Sequence, residues 1–261
     1  MNIFKKEYWL AALGELKSLR RILFAALICA ITVALDGLIK IPVLPGALEI
    51  KFTFFIIALG CAVYGPIMGA LVAVAVDTLS FFIFSPGFAY FPGYMVTEVL
   101  VSVIYALFLY RQKITVTKLF AAKFCTNYFA HVLLNSLWAS ILMGKGYLYY
   151  FWSGLLKNSL LLPLEVFIMA FFFGLLLPAF SKLGLLPAQD ERSLARLKAG
   201  KSFLLIMGLD CLLAGGCALI FQHWKGLAGA YTLLSGVLAA AGIVLMLVYW
   251  FMLWKEKRNA A

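Results

Sequence analysis

The chain has 261 residues, 65% of them hydrophobic and 13% charged, with a mean hydropathy of +1.01. A soluble domain must clothe its core in polar residues, and 22 basic and 11 acidic side chains are too few to do so, which excludes a soluble globular enzyme and points to an integral membrane protein. The net charge of +11 does not mark a nucleic-acid binder, because the basic residues lie between apolar runs and form no groove-sized cluster.

The first nineteen residues are basic but contain Glu7 and Glu15, unlike the short leader of a cleaved signal peptide. Leu10, Leu13 and Leu16 predict instead an amphipathic segment at the membrane interface. A membrane-spanning helix needs roughly 20 apolar residues. Candidate spans are 20–40, 51–64, 66–84, 94–110, 119–143, 155–180, 203–222 and 231–254. Gly65-Pro66 separates the short second span from the third, as a tight hairpin or a broken pair. With both termini in the cytoplasm, only Lys40, Lys51, Lys145, Lys157 and Lys225 of the 22 basic residues fall outside, the bias of the positive-inside rule. Lys123 is counted on the inner side in this scheme. Residues 181–202 form a basic cytoplasmic linker between a six-span core and a two-span extension. Its "AGKS" lacks the glycine and the preceding strand of a phosphate loop. The five cysteines, Cys29, Cys61, Cys125, Cys211 and Cys217, sit singly in apolar segments with no metal-ligand spacing and read as small core residues.

Several stripes interrupt the apolar pattern. Ala26, Ala30 and Ala34 give the first span one face with almost no side-chain bulk, suited to close helix approach either within the chain or by a partner subunit. Gly65, Gly69, Ala73 and Asp77 form a similar stripe on the third span and predict an internal crossing, with Asp77 capped or paired near the outer end. Glu98 follows "FPGY", Phe91 to Tyr94, where proline and glycine break the helix and bring aromatic groups over its mouth. A carboxylate at that depth is costly. Glu98 is therefore neutral, paired with Lys157, or accepting hydrogen bonds from a ligand. His131, Asn135 and Trp138 share one helical face and offer a titratable ring, an amide and a stacking surface, the equipment of a ligand-facing stripe. On the sixth span Lys157, Asn158 and Glu165 follow the aromatic "YLYYFW"; Lys157 either snorkels to the interface or meets an anionic ligand.

The segments "AYFPGYMVTEVLVSVIYALFLYR", "LLNSLW", "GKGYLYYFW" and "LLKNSLLLPLE", with "FAALICAITVALD" and "GPIMGALVAVAVD", resemble the substrate-binding S components of energy-coupling factor (ECF) vitamin transporters, specifically the folate group. The resemblance covers about residues 20–180. It implies an all-α membrane protein with a six-helix S-component-like core at 20–180; the residues themselves add an amphipathic segment at 1–19, the linker 181–202 and two additional transmembrane helices at 203–254, a tail that the resemblance leaves unaccounted for. It implies a non-enzymatic subunit without a cofactor, which captures a vitamin outside, docks on a transmembrane coupling (T) subunit bearing two ATPases, and topples to open inward. Ala26, Ala30 and Ala34 fall where that family meets its coupling subunit. For folate, Asn135 and Glu98 would face the pterin, Trp138 or Tyr94 the benzoyl ring and Lys157 the glutamate tail, with Phe91 and His131 completing the pocket. Gly154 stands where the folate pattern has a basic residue, three positions before Lys157. The rival readings are an S component for another B vitamin, a proton-coupled carrier for a small organic anion using Asp36, Asp77, Glu98, His131 and Glu165 as a relay, and an integral-membrane enzyme, for which no catalytic constellation is apparent.

Overall fold

The computed structural model describes residues 5–38, 40–44, 48–84, 89–144, 146–186, 201–225 and 230–260. Most of the linker, Lys145 and the residues just before Ala89 lie outside this set. The first helix, α1 (Lys6–Glu15), precedes α2 (Leu19–Leu38). An antiparallel hairpin of β1 (Lys40–Leu44) and β2 (Leu48–Lys51) follows, with Ile41 opposite Ile50, Pro42 opposite Glu49, and a register shift between Pro42 and Leu44. Sequence periodicity gave no sign of this hairpin; its strands are shorter than the windows that reveal alternation. Proline has no N–H to give to a ladder, so an irregular two-stranded ribbon is a place that tolerates it.

The second and third candidate spans are the two halves of α3 (Thr53–Phe84), which breaks at Gly65, φ 80° and ψ −174°. That backbone region is open essentially only to glycine. The break is a fold-back: a Cβ on Gly69 would stand 3.2 Å from Cys61 Sγ, whereas eight residues of straight helix rise about 12 Å. Next come α4 (Pro92–Leu109), with proline in its first turn, and a continuous span made of α5 (Val116–Cys125), a π-helical stretch (Thr126–Leu134) and α6 (Asn135–Met143). The side chain of Thr115 caps α5 by accepting from Lys118 N at 3.3 Å. The long α7 (Tyr147–Lys182) completes the core, its first two turns built from the aromatic run, and α8 (Lys201–Lys225) and α9 (Ala230–Ala260) complete the chain. Among the described residues, five helices are long and apolar enough to cross a membrane, α2, α3, α4, α7 and, over Ser235–Lys255, α9; Leu204–Ile220 of α8 is a shorter apolar stretch.

The core gathers around Tyr64, Tyr105, Leu109, Leu119, Met169 and Phe173, all buried, with Phe55 stacked on Phe172 at 4.2 Å. Exposed leucines, phenylalanines and tryptophans cover the outside of α2, α7 and α9, the inverse of a soluble surface and the expected one in lipid. The two C-terminal helices pair tightly because Gly208 and Gly242 meet: a Cβ on Gly242 would stand 2.8 Å from Gly208 O. Of the two, α8 lies against α7, where Ala218 packs with Leu156, Trp152 and Leu160.

One end of the bundle is knit by Glu15. Its carboxylate meets Arg21 Nε at 3.3 Å and Arg111 Nη2 at 3.1 Å and accepts from Tyr110 Oη at 2.7 Å. Arg21 also donates to Val63 O at 2.7 Å and Leu185 O at 2.6 Å, and Arg20 donates to Leu183 O. The half-exposed Arg111 adds little, but Arg21 and Glu15 are largely buried and tie α1, α2, the Gly65 bend and the end of α7 together. Tyr8 is buried, and burial pushes its hydroxyl up to about 12, which keeps it a neutral donor to Ala106 O at 3.1 Å.

Gly65→Ala is expected to lower the unfolding free energy by about 1–3 kcal/mol through its backbone conformation, and further because the new methyl would stand 3.1 Å from the Tyr110 ring. Gly174→Ala, in a helix with nothing within 4 Å, is expected to stabilise by about 0.5–1 kcal/mol. Thermal unfolding of the two variants in detergent measures the difference.

Candidate functional site

The end of the bundle opposite Glu15 is aromatic. Pro92 and Gly93 open α4, and Gly93 is buried beneath Phe91 and Trp138, whose rings leave no space for a Cβ there. Phe91 meets Trp138 edge-on, centroids 5.7 Å apart, and Tyr94 at 6.0 Å. Trp138, on α6, turns inward: its Nε1 donates to Thr97 Oγ1 at 3.0 Å, and Thr97 donates in turn to Gly93 O at 3.4 Å. Phe91, Tyr94 and Trp138 are thus brought into one aromatic group. Thr97, buried and one position before Glu98, is a member that sequence reasoning missed; a hydroxyl at i+4 from the helix-opening glycine was the available signal.

One turn before Trp138, Asn135 and His131 are joined, Asn135 Nδ2 to His131 Nδ1 at 3.3 Å. Asn135 Oδ1 is buried with no hydrogen-bond partner among the described residues. A buried acceptor left unpaired costs about 1–3 kcal/mol, so the amide is set to receive a donor. Glu98 and Lys157, the two charged residues among the predicted ligand contacts, are both half-buried, on α4 and α7. At the position of the missing basic residue, Gly154 lies close to α6, a Cβ there reaching 3.4 Å from Ser136 Oγ, and its carbonyl accepts from Asn158 Nδ2 at 2.8 Å.

Below this level lies a polar layer. Lys123, counted in the sequence among the inner-side lysines, is a buried residue instead: its ammonium pairs with Glu165 at 3.1 Å and sits 4.3 Å from the Phe54 ring centroid. Asn127 donates to Glu165 Oε2 at 2.9 Å and to Asn158 O at 3.4 Å. Tyr128 and Ser159 hydroxyls bond at 2.6 Å. Lys123, Asn127, His131 and Asn135 recur every four residues, so the stripe seen from His131 onward begins two turns earlier. The missed signal was that period. The inner-side count took Lys123 for a loop charge because it treats each lysine as a topology marker. Asp77 near the end of α3 accepts from Tyr90 Oη at 3.0 Å, holding the approach to Phe91.

The arrangement places an aromatic group over polar atoms, the kind of lining that small-molecule sites use. On the flank formed by α2, Ala26, Ala30 and Ala34 are exposed, while Phe24, Ala25, Ile28 and Val33 face the core. The family model for the substrate-specific component of ECF transporters matches residues 20–189. The chain belongs to that family. Among curated proteins, it is 29% identical over 121 residues to the folate transporter FolT of Clostridium novyi (strain NT), covering 46% of this chain and 70% of that one. Among solved structures, it is similar to FolT bound with folic acid, with a TM-score of 0.51 and 23% identity over 57% of this chain and 88% of that one, a likeness in fold. This S component is therefore a multi-pass membrane protein with a six-helix core, and α8 and α9 lie beyond the matched region.

Lys123→Ala alone is expected to cost about 3–5 kcal/mol, because it strands a buried carboxylate, whereas the double change Lys123→Met with Glu165→Leu is expected to recover most of that loss. Melting of the three proteins in the same detergent reads the cycle; additive losses would mean that the two groups do not form one unit.

Proposed function

We propose that this S component captures folate from outside the cell and delivers it inward together with a transmembrane coupling subunit and two ATPases. The observation that carries the reading is the inward-turned Trp138, bonded to Thr97 and flanked by Phe91, above an Asn135 carbonyl with no donor among the described residues. A pterin carries amino and ring N–H groups that suit an unpaired amide oxygen and the Glu98 carboxylate, and its fused ring suits an aromatic wall. The negative glutamate tail suits Lys157. The 29% identity to a folate transporter supports the choice among vitamins. The exposed alanines of α2 support docking of the coupling subunit there, since small residues let backbones approach. In this reading both termini are cytoplasmic, residues 20–180 are the binding core, and 203–254 are an added pair joined by the basic linker.

The purified chain is expected to bind one folate without ATP and to support uptake only with the coupling subunit and ATPases. Absence of binding at micromolar folate would sink the proposal, and uptake by the chain alone under a pH gradient would favour a proton-coupled carrier. Trp138→Ala is expected to weaken binding about tenfold or more through lost stacking and area, with assembly intact. Ala30→Leu is expected to do the reverse, blocking co-purification of the coupling subunit while folate titration stays at the parent value.

A further inference from the structure

The N-terminal helix precedes the family match and has two faces. Tyr8, Ala12 and Glu15, at i, i+4 and i+7, are buried against the bundle. The other side exposes Trp9, Leu10 and Leu13, with Leu10 more than half exposed. An unshielded Trp-Leu-Leu face on a polar-flanked helix is unfavourable in bulk water and favourable at a headgroup boundary. Its position in the fold puts it at such a boundary. Only Leu16, Lys17 and Ser18 separate α1 from the membrane-spanning α2, whose first turns expose Leu19 and Leu23. Around it the surface is cationic: Lys5, Lys6, Lys17, Arg20, Lys113 and Lys182 are exposed at this end of the bundle. Among the described residues Glu7 is the exposed acid nearby, and Glu15 is already held by two arginines.

We propose that α1 is an in-plane membrane anchor, with Trp9, Leu10 and Leu13 seated at the headgroup–acyl boundary of one leaflet and Lys5, Lys6 and Lys17 holding its anionic phospholipid headgroups. Tryptophan and leucine supply the interfacial side, and lysines beside them supply attraction to acidic lipid, worth about fivefold in binding per residue near a charged surface. The helix is not a loose arm. Through Glu15 it is fixed to α2 by Arg21 and to the end of α4 by Tyr110 and Arg111, and through Tyr8 to Ala106. A leaflet that holds α1 in its plane therefore holds the angle of the whole bundle. The inference is independent of which vitamin the site takes.

The test uses the full chain in nanodiscs. The protein has six tryptophans, so the Trp9 signal is taken as the difference between the parent and Trp9→Phe. Phosphatidylcholine brominated high on its acyl chains is expected to quench that difference more strongly than lipid brominated near the chain ends. Replacing a third of the lipid by phosphatidylglycerol is expected to raise the melting temperature of the parent, and Lys5→Gln/Lys6→Gln/Lys17→Gln is expected to lose at least half of that rise while ligand titration is unchanged. Lack of Trp9 quenching at either depth would overturn the anchor and assign the face to water or to a protein partner. Quenching with an undiminished phosphatidylglycerol effect in the triple variant would overturn the lipid-charge part.

Discussion

An ammonium group inside an apolar bundle has to find a carboxylate, and in this protein the pairing of Lys123 with Glu165 constrains much of the rest. It links α5 to α7, with Asn127 spanning from the same carboxylate to the backbone of α7 at Asn158. That layer lies where α5 gives way to the π-helical stretch. Wider turns delay the rotation of the chain, and helices adopt them mainly where function offsets their poorer geometry. Beyond this stretch come Asn135 and then Trp138, which faces Thr97 on α4. The ion pair holds the two walls in register, and the π turns aim the side chains that stand above it.

The opposite end relies on a different economy. Arg21 serves three acceptors at once, the Glu15 carboxylate and the carbonyls of Val63 and Leu185. A planar guanidinium with several fixed donors can do this where a lysine could not. Both carbonyls lie where helical bonding ends, just before the Gly65 break and just after α7. Such groups need partners when water is scarce. One side chain therefore closes two helix ends and holds α1 against them.

The membrane spans were legible because hydropathy over twenty residues is a strong signal, and the break at Gly65-Pro66 because those two residues have few other uses in such a run. The family was legible as a resemblance, carried by the combination of the "FPGY" and "LNSLW" segments. The β-hairpin was not, since its strands are short and end at a proline-bearing irregularity. The π-helical stretch was not, because apolar residues on all sides of a membrane helix leave no period from which an extra residue per turn could be read. Lys123 was misassigned for a physical reason: a lysine near a helix start and a lysine buried one turn deeper differ only by the acid across the bundle. Glu165 lies 42 positions further along the chain.

The paired glycines of α8 and α9 carry one more consequence. Because the two helices grip each other closely and only α8 lies broadly against the core, the extension widens the protein on the α7 flank and leaves the alanines of α2 uncovered. A body with such a lopsided footprint does not lean with equal ease in every direction. The added pair gives the bundle a keel on one side, so that lipid on the α7 flank meets two more helices than lipid on the α2 flank does.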